Sequence, residues 1–210
     1  MEKLEEITTK FNILDIPFLL SPTISKQGFF SGRKIEKLLK ELVNQYKIEE
    51  LARKFAAVCV DLNKPEIITI SSGDLVKAVR ASISIPGVFT PVISGNQILV
   101  DGGVLEPVPV EAARKLGADF VVAVDLLSRS GNLRKSKESN FVDIIQKTSI
   151  TTQQCITGFR MKIFPPDIII EPEVADIGIL DFKNGSQIVS QGEKAARKLL
   201  PKLRELLGKY

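Results

Sequence analysis

Apolar and polar positions follow two different rhythms along the chain. In "SGRKIEKLLKELV", residues 31 to 43, Ile35, Leu38, Leu39, Leu42 and Val43 recur at the three-to-four spacing of a helix with one buried face. Ser31 is placed to cap that helix. "FAAVCVDL", residues 55 to 62, is apolar almost throughout and rich in small and branched side chains, which predicts a strand buried on both faces. "EIITI", residues 66 to 70, predicts its neighbour. Ser72 is placed to cap a helix running from Gly73 to about Ser84, with Leu75, Val76 and Val79 facing inward. Pro86, Gly87 and Pro91 in "SIPGVFTPV" end it.

The second half repeats the alternation. "QILVDGGVLEPVP", residues 97 to 109, predicts a strand that delivers Asp101 into two glycines. Pro109 suits the first turn of a short helix, "VEAARKLG", stopped by Gly117. "DFVVAVDL" (119 to 126) predicts another buried strand, and "DIIIEP" (167 to 172) a last one. Between them lie a polar, basic loop, "SRSGNLRKSKES", and a long helix from about Asn140 to Met161. The C-terminal helix carries Leu199, Leu200, Leu203, Leu206 and Leu207 and is expected to kink or restart at Pro201. Strands alternating with helices predict an α/β fold: a mainly parallel sheet with helices on both faces. The first convincing strand begins near Phe55; the residues from Met1 onward read as charged and helical.

Composition removes whole classes of chemistry. None of the 210 residues is histidine, so neither a Ser-His-Asp nor a Cys-His site can be built, and no ordinary His-ligated zinc site either. Cys59 and Cys155 are too few for a disulfide framework and lack metal-ligand spacing. Cys59, inside "FAAVCVDL", reads as a small core residue. No cofactor and no metal are expected. The net charge of +4 is modest, and most lysines fall between helical apolar positions, where they form solvated faces. Aromatic residues do not interleave with the basic ones, so nucleic acid is not an expected partner. No apolar run is long enough to span a bilayer, and residues 1 to 25 lack a signal-peptide pattern. A cytoplasmic location follows as the expectation.

The chemistry lies around Asp101. Arg80-Ala81-Ser82 leads into Ile85-Pro86-Gly87, Asp101-Gly102-Gly103 forms a turn, and Pro107-x-Pro109 opens a helix. In this order and spacing the chain closely resembles the bacterial patatin-like phospholipases. The likeness continues in "DIIIEPEVADIGILDF", Asp167 to Phe182, and covers roughly residues 28 to 207. Glu106 departs from it, standing where many members carry asparagine. The resemblance implies a three-layer sandwich and a lipid acyl hydrolase that uses a Ser-Asp dyad without histidine. In that family a serine in a Gly-x-Ser-x-Gly elbow attacks the ester carbonyl. The aspartate of the Asp-Gly-Gly turn takes its proton, and N-terminal glycines supply the oxyanion donors. Asp101 matches the general base, with Gly102 and Gly103 supporting it. An unperturbed aspartate, pKa about 3.9, is a poor base for a hydroxyl. It needs partial burial and contact with the serine within about 3 Å. Two glycines let another loop approach that closely.

The other half of the dyad is missing. No Gly-x-Ser-x-Gly occurs in the chain, and no glycine-rich loop follows an early strand. The expectation is therefore a single patatin-like domain over residues 1–210, N-terminally truncated, with neither nucleophile nor oxyanion hole. The chain alone is expected to be inactive. Ser71-Ser72-Gly73 lacks the preceding glycine. "SGRK", Ser31 to Lys34, matches Ser-x-x-Lys without the companion motifs of that enzyme class. Ser82 and Ser84 belong to the resembling pattern and are expected to cap or pack. Asp125 reads as a carboxylate at a strand end, since no G-x-G-x-x-G precedes it to suggest ribose binding. The basic loop around Arg134, Lys135 and Lys137 is either a solvated loop or a peripheral contact with anionic lipid headgroups. Two functions compete. One is an acyl-lipid or ester hydrolase represented by its aspartate-bearing part. The other is a non-catalytic remnant or interaction protein, self-associating or pairing through an open sheet edge.

Overall fold

The computed structural model describes residues 22–25, 28–43, 46–127, 141–174, 177 and 184–208. The basic loop and the residues from Met1 to Ser21 lie outside them. Chain contacts divide at Gly117 into two compact units.

The first unit opens with strands where none was expected. β1 (Pro22–Ser25) and β2 (Gly28–Phe30) pair antiparallel, with Pro22 opposite Phe30 and Ser25 opposite Gly28. Their few residues carry no apolar alternation, so the pattern gave no signal; Pro22 sits at a strand start, where a missing N–H costs least. Helix α1 (Arg33–Val43) follows. Its cap position is Gly32 rather than Ser31: Gly32 has φ 67° and its carbonyl accepts the Glu36 N–H at 3.0 Å.

The main sheet contains β3 (Ala57–Asp61) and β4 (Glu66–Ile70), which form a hairpin around Leu62–Pro65. Helix α2 (Leu75–Ser82) comes next. Its cap is Asp74, not Ser72: the carboxylate accepts the Lys77 N–H at 3.0 Å. β5 (Val92–Ser94) and β6 (Gln97–Asp101) form a second hairpin through Gly95-Asn96, with Gly95 at φ 57°. The order is β4-β3-β6-β5, and every neighbouring pair is antiparallel. The expected mainly parallel sheet is thus overturned for this unit. The apolar run of β3 is buried as its sequence predicts, over all five of its residues. A central antiparallel strand covered on both faces produces the same pattern as a parallel one.

Helix α2 packs on one face of that sheet. Leu75 and Ala78 meet Ala57 and Ile48, while Ala81 meets Cys59 and Leu99. Past β6 the chain makes a 3-10 turn, Gly102–Val104, then α3 (Val110–Lys115) with Pro109 as its cap residue. Gly117, at φ 92°, closes α3 by donating its N–H to Arg114 O at 2.9 Å.

The second unit holds β7 (Val122–Val124), α4 (Phe141–Ile163), β8 (Ile168–Ile170) and α5 (Gly185–Leu207). β7 and β8 are parallel, in register from Val122 opposite Ile168 to Val124 opposite Ile170, with α4 between them in sequence. Asp167 Oδ2 ties the pair by accepting the Val121 N–H at 2.7 Å. β7 is not the buried strand expected: Val121, Ala123 and Asp125 are buried, whereas Val122 and Val124 are exposed. α5 continues through Pro201 as a single helix. No helix among the described residues is long and apolar enough to cross a membrane.

Candidate active site

Asp101 is the last residue of β6 and the cap of the turn that follows. It stands opposite Cys59, and Leu99 stands opposite Asp61. Alternate residues of a strand share a face, so Asp101 continues the row begun by Leu99. Leu99 packs with Cys59 and Ala81 in the core. The carboxylate is therefore the polar end of an apolar row, at the rim of the sheet.

Two hydrogen bonds hold it. The Asp101 N–H donates to Ser84 O at 3.0 Å, and the carboxylate Oδ1 accepts the Gly103 N–H at 2.6 Å. Burial raises the carboxyl pKa above its usual value, and the Gly103 N–H partly opposes that. Partial desolvation is what a carboxylate needs to become a better proton acceptor. Gly102 is buried for a steric reason: a Cβ there would stand 2.5 Å from Val58 O and 2.9 Å from Val58 C. Only glycine lets the turn lie this close to β3. Gly102 O then accepts the N–H of Glu106, a residue only 3% exposed, at 2.8 Å.

None of the serines weighed from the sequence is brought to the carboxylate by these contacts. Ser71 leaves β4 at the same end of the sheet at which Asp101 leaves β6, but β3 lies between. Two strand spacings amount to about 10 Å, far beyond the ~3 Å contact a proton transfer requires. Ser84 is linked to Asp101 through its carbonyl. Its hydroxyl instead accepts from Arg80 Nη1 at 2.6 Å and donates to Arg80 O at 2.9 Å. Ser31 contributes its carbonyl, to Arg80 Nη2 at 3.1 Å. The expectation that Ser84 packs is met: it is fully buried.

Asp125 accepts the Leu127 N–H at 2.9 Å on Oδ1, the local turn of a carboxylate at a strand end. Arg80 is the residue whose role the sequence did not disclose. It is 5% exposed, on a helix whose other cation, Lys77, is exposed. Its only signal was membership of the Arg80-Ala81-Ser82 motif.

The family model for patatin-like phospholipases matches residues 2–114, more than half of the chain and the whole of the Asp-Gly-Gly region. An uncharacterised NTE family protein of Mycobacterium tuberculosis (strain ATCC 25618 / H37Rv) is 34% identical over 122 residues, 58% of this chain and 34% of that protein. A second such protein, from Mycobacterium bovis, is 30% identical over 198 residues, 85% of this chain and 34% of that one. A lysophospholipase of Neurospora crassa is 22% identical over 209 residues, 90% of this chain and 14% of that protein. The chain thus spans about a third of the length of the mycobacterial relatives it matches. With its Asp101-Gly102-Gly103 turn built as described, the chain belongs to the patatin-like phospholipase family.

Proposed function

We propose that this chain is the aspartate-bearing part of a lipid acyl hydrolase acting on a carboxylic ester by a Ser-Asp dyad. The observation that carries this reading is the Asp101 carboxylate. It is partly desolvated, anchored through one oxygen by Gly103, and set on a turn kept bare by Gly102. In the proposed reaction Asp101 takes the proton of a serine hydroxyl as that oxygen attacks the ester carbonyl. It returns the proton to the departing alcohol or lysolipid, leaving an acyl-serine for water to cleave. The Neurospora relative's name, a lysophospholipase, favours a lysolipid among the ester substrates.

No Gly-x-Ser-x-Gly stands in the 210 residues, so the chain by itself is proposed to be catalytically silent, the serine coming from another segment. Residues 1–210 are read as belonging to one patatin-like domain. A second reading, a non-catalytic protein that pairs with another chain through an open sheet edge, is favoured by β7, which pairs only with β8 among the described residues and leaves Val122 and Val124 exposed.

The test compares the purified chain alone with the same chain fused behind a segment carrying a glycine-rich loop and a Gly-x-Ser-x-Gly elbow. Alone, it is expected neither to react with a fluorophosphonate nor to hydrolyse short acyl esters. The fusion is expected to do both, with hydrolysis lost on Asp101→Asn. Labelling of the chain alone, abolished by mutating one of its own serines, would overturn the proposal.

A further inference from the structure

Arg80 is a buried cation whose hydrogen bonds end on neutral oxygens. Nη1 donates to Ser84 Oγ at 2.6 Å; Nη2 donates to Thr90 O at 2.9 Å and Ser31 O at 3.1 Å, with Thr90 Oγ1 at 3.5 Å. The guanidinium carbon lies 5.7 Å from the centre of the Phe89 ring. Gly32 leaves it room, because a Cβ there would collide with the guanidinium. Its acceptors come from three places: the residue before Gly32 and α1, the residue two past the end of α2, and the Pro86–Pro91 segment. Burying a charge is costly, and a well-packed apolar residue often serves a core better. The cation is therefore to be explained by what its fixed fork of donors holds in place.

What it holds is Ser84. That residue is fully buried, bonds Arg80 through its hydroxyl in both directions, and accepts the Asp101 N–H on its carbonyl at 3.0 Å. We propose that Arg80 is a positioning residue for Asp101, acting through Ser84. The guanidinium locks Ser84, and Ser84 O fixes the backbone from which the carboxylate projects. This inference rests on reading Asp101 as the general base. It adds that the base is aligned by a cation one residue removed, without a direct contact between the two charges.

The experiment uses the full chain and needs no turnover. Amide exchange and carboxyl titration of Asp101 are followed by NMR in the parent, Arg80→Lys, Arg80→Met and Ser84→Ala. The Ile98 amide, on the same strand as Asp101 and held by Asp61 Oδ1 of β3 at 3.1 Å, is the internal control. Exchange at Asp101 is expected to rise roughly tenfold relative to Ile98 in Arg80→Met, the factor for losing one ordinary hydrogen bond. Arg80→Lys and Ser84→Ala are expected to give smaller rises. The Asp101 carboxyl is expected to titrate lower as water reaches it. If Arg80→Met does not fold, the two milder variants carry the same comparison. An unchanged Asp101, or equal loosening at Ile98, would overturn the inference. The two ideas fail separately. Hydrolysis by the fusion that survives Asp101→Asn removes the base, whereas hydrolysis lost on Asp101→Asn with Asp101 unmoved in the Arg80 variants removes only the positioning role.

Discussion

Gly102 and Val58 touch through their backbones: the position a Cβ would take on Gly102 lies 2.5 Å from the Val58 carbonyl oxygen. That contact presses the turn after β6 against β3 and sets where Asp101 leaves the sheet. Neither partner can yield as the tip of a flexible side chain would. Gly102→Ala is expected to cost about 1–3 kcal/mol of stability, the usual cost of overfilling a tight site. Urea unfolding of the variant against the parent measures it; an unchanged midpoint would contradict the contact.

Asp101→Asn keeps an oxygen for the Gly103 N–H but removes the charge. The folded carboxyl has a raised pKa, so between the ordinary value of 3.8 and that raised value the folded chain holds more proton than the unfolded one. Stability carried by this group is complete below 3.8 and is lost as pH rises through the folded pKa. The asparagine variant is therefore expected to lose less stability than the parent between pH 3.5 and pH 7. Parallel unfolding curves across that range check the sign. In the serine-bearing fusion the same change is expected to lower ester hydrolysis by about 10²–10⁴-fold.

Asp74 caps α2, the helix that carries Arg80. Asp74→Ala is expected to cost about 0.5–2 kcal/mol. Asp74→Ser is expected to recover most of it, since a hydroxyl caps the same N–H. Thermal unfolding of the three proteins distinguishes loss of a cap from loss of a charge.

Burial pushes the Cys59 thiol up to about 11. At pH 8 only roughly one part in a thousand is thiolate, the nucleophilic form. Cys155 is exposed. Ellman's reagent at pH 8 is expected to titrate one thiol quickly and the second only in urea, with Cys155→Ser removing the fast phase.

Much of this was legible in the chain because local chemistry decided it. The apolar run of β3, the Pro109 start and Gly117 stop of α3, and the Asp-Gly-Gly turn each follow from a few adjacent residues. Strand direction was the larger misreading. Gly95-Asn96 between two short apolar runs is a hairpin signal, and Asn63-Lys64-Pro65 marks another tight reversal, yet the alternation of helices and strands outweighed both. Arg80 was opaque for a different reason. Nothing in its neighbours says that three oxygens from Ser31, Ser84 and Thr90 will converge on it. That convergence exists only once the sheet and α2 are assembled.

The supports of the Asp101 carboxylate all come from residues 31 to 106, inside one compact unit. The acid is thus a prefabricated fitting, its bearings machined from its own stretch of chain. On the proposed dyad, a serine brought alongside it meets a carboxylate already held in place, and only the newcomer has to be aligned.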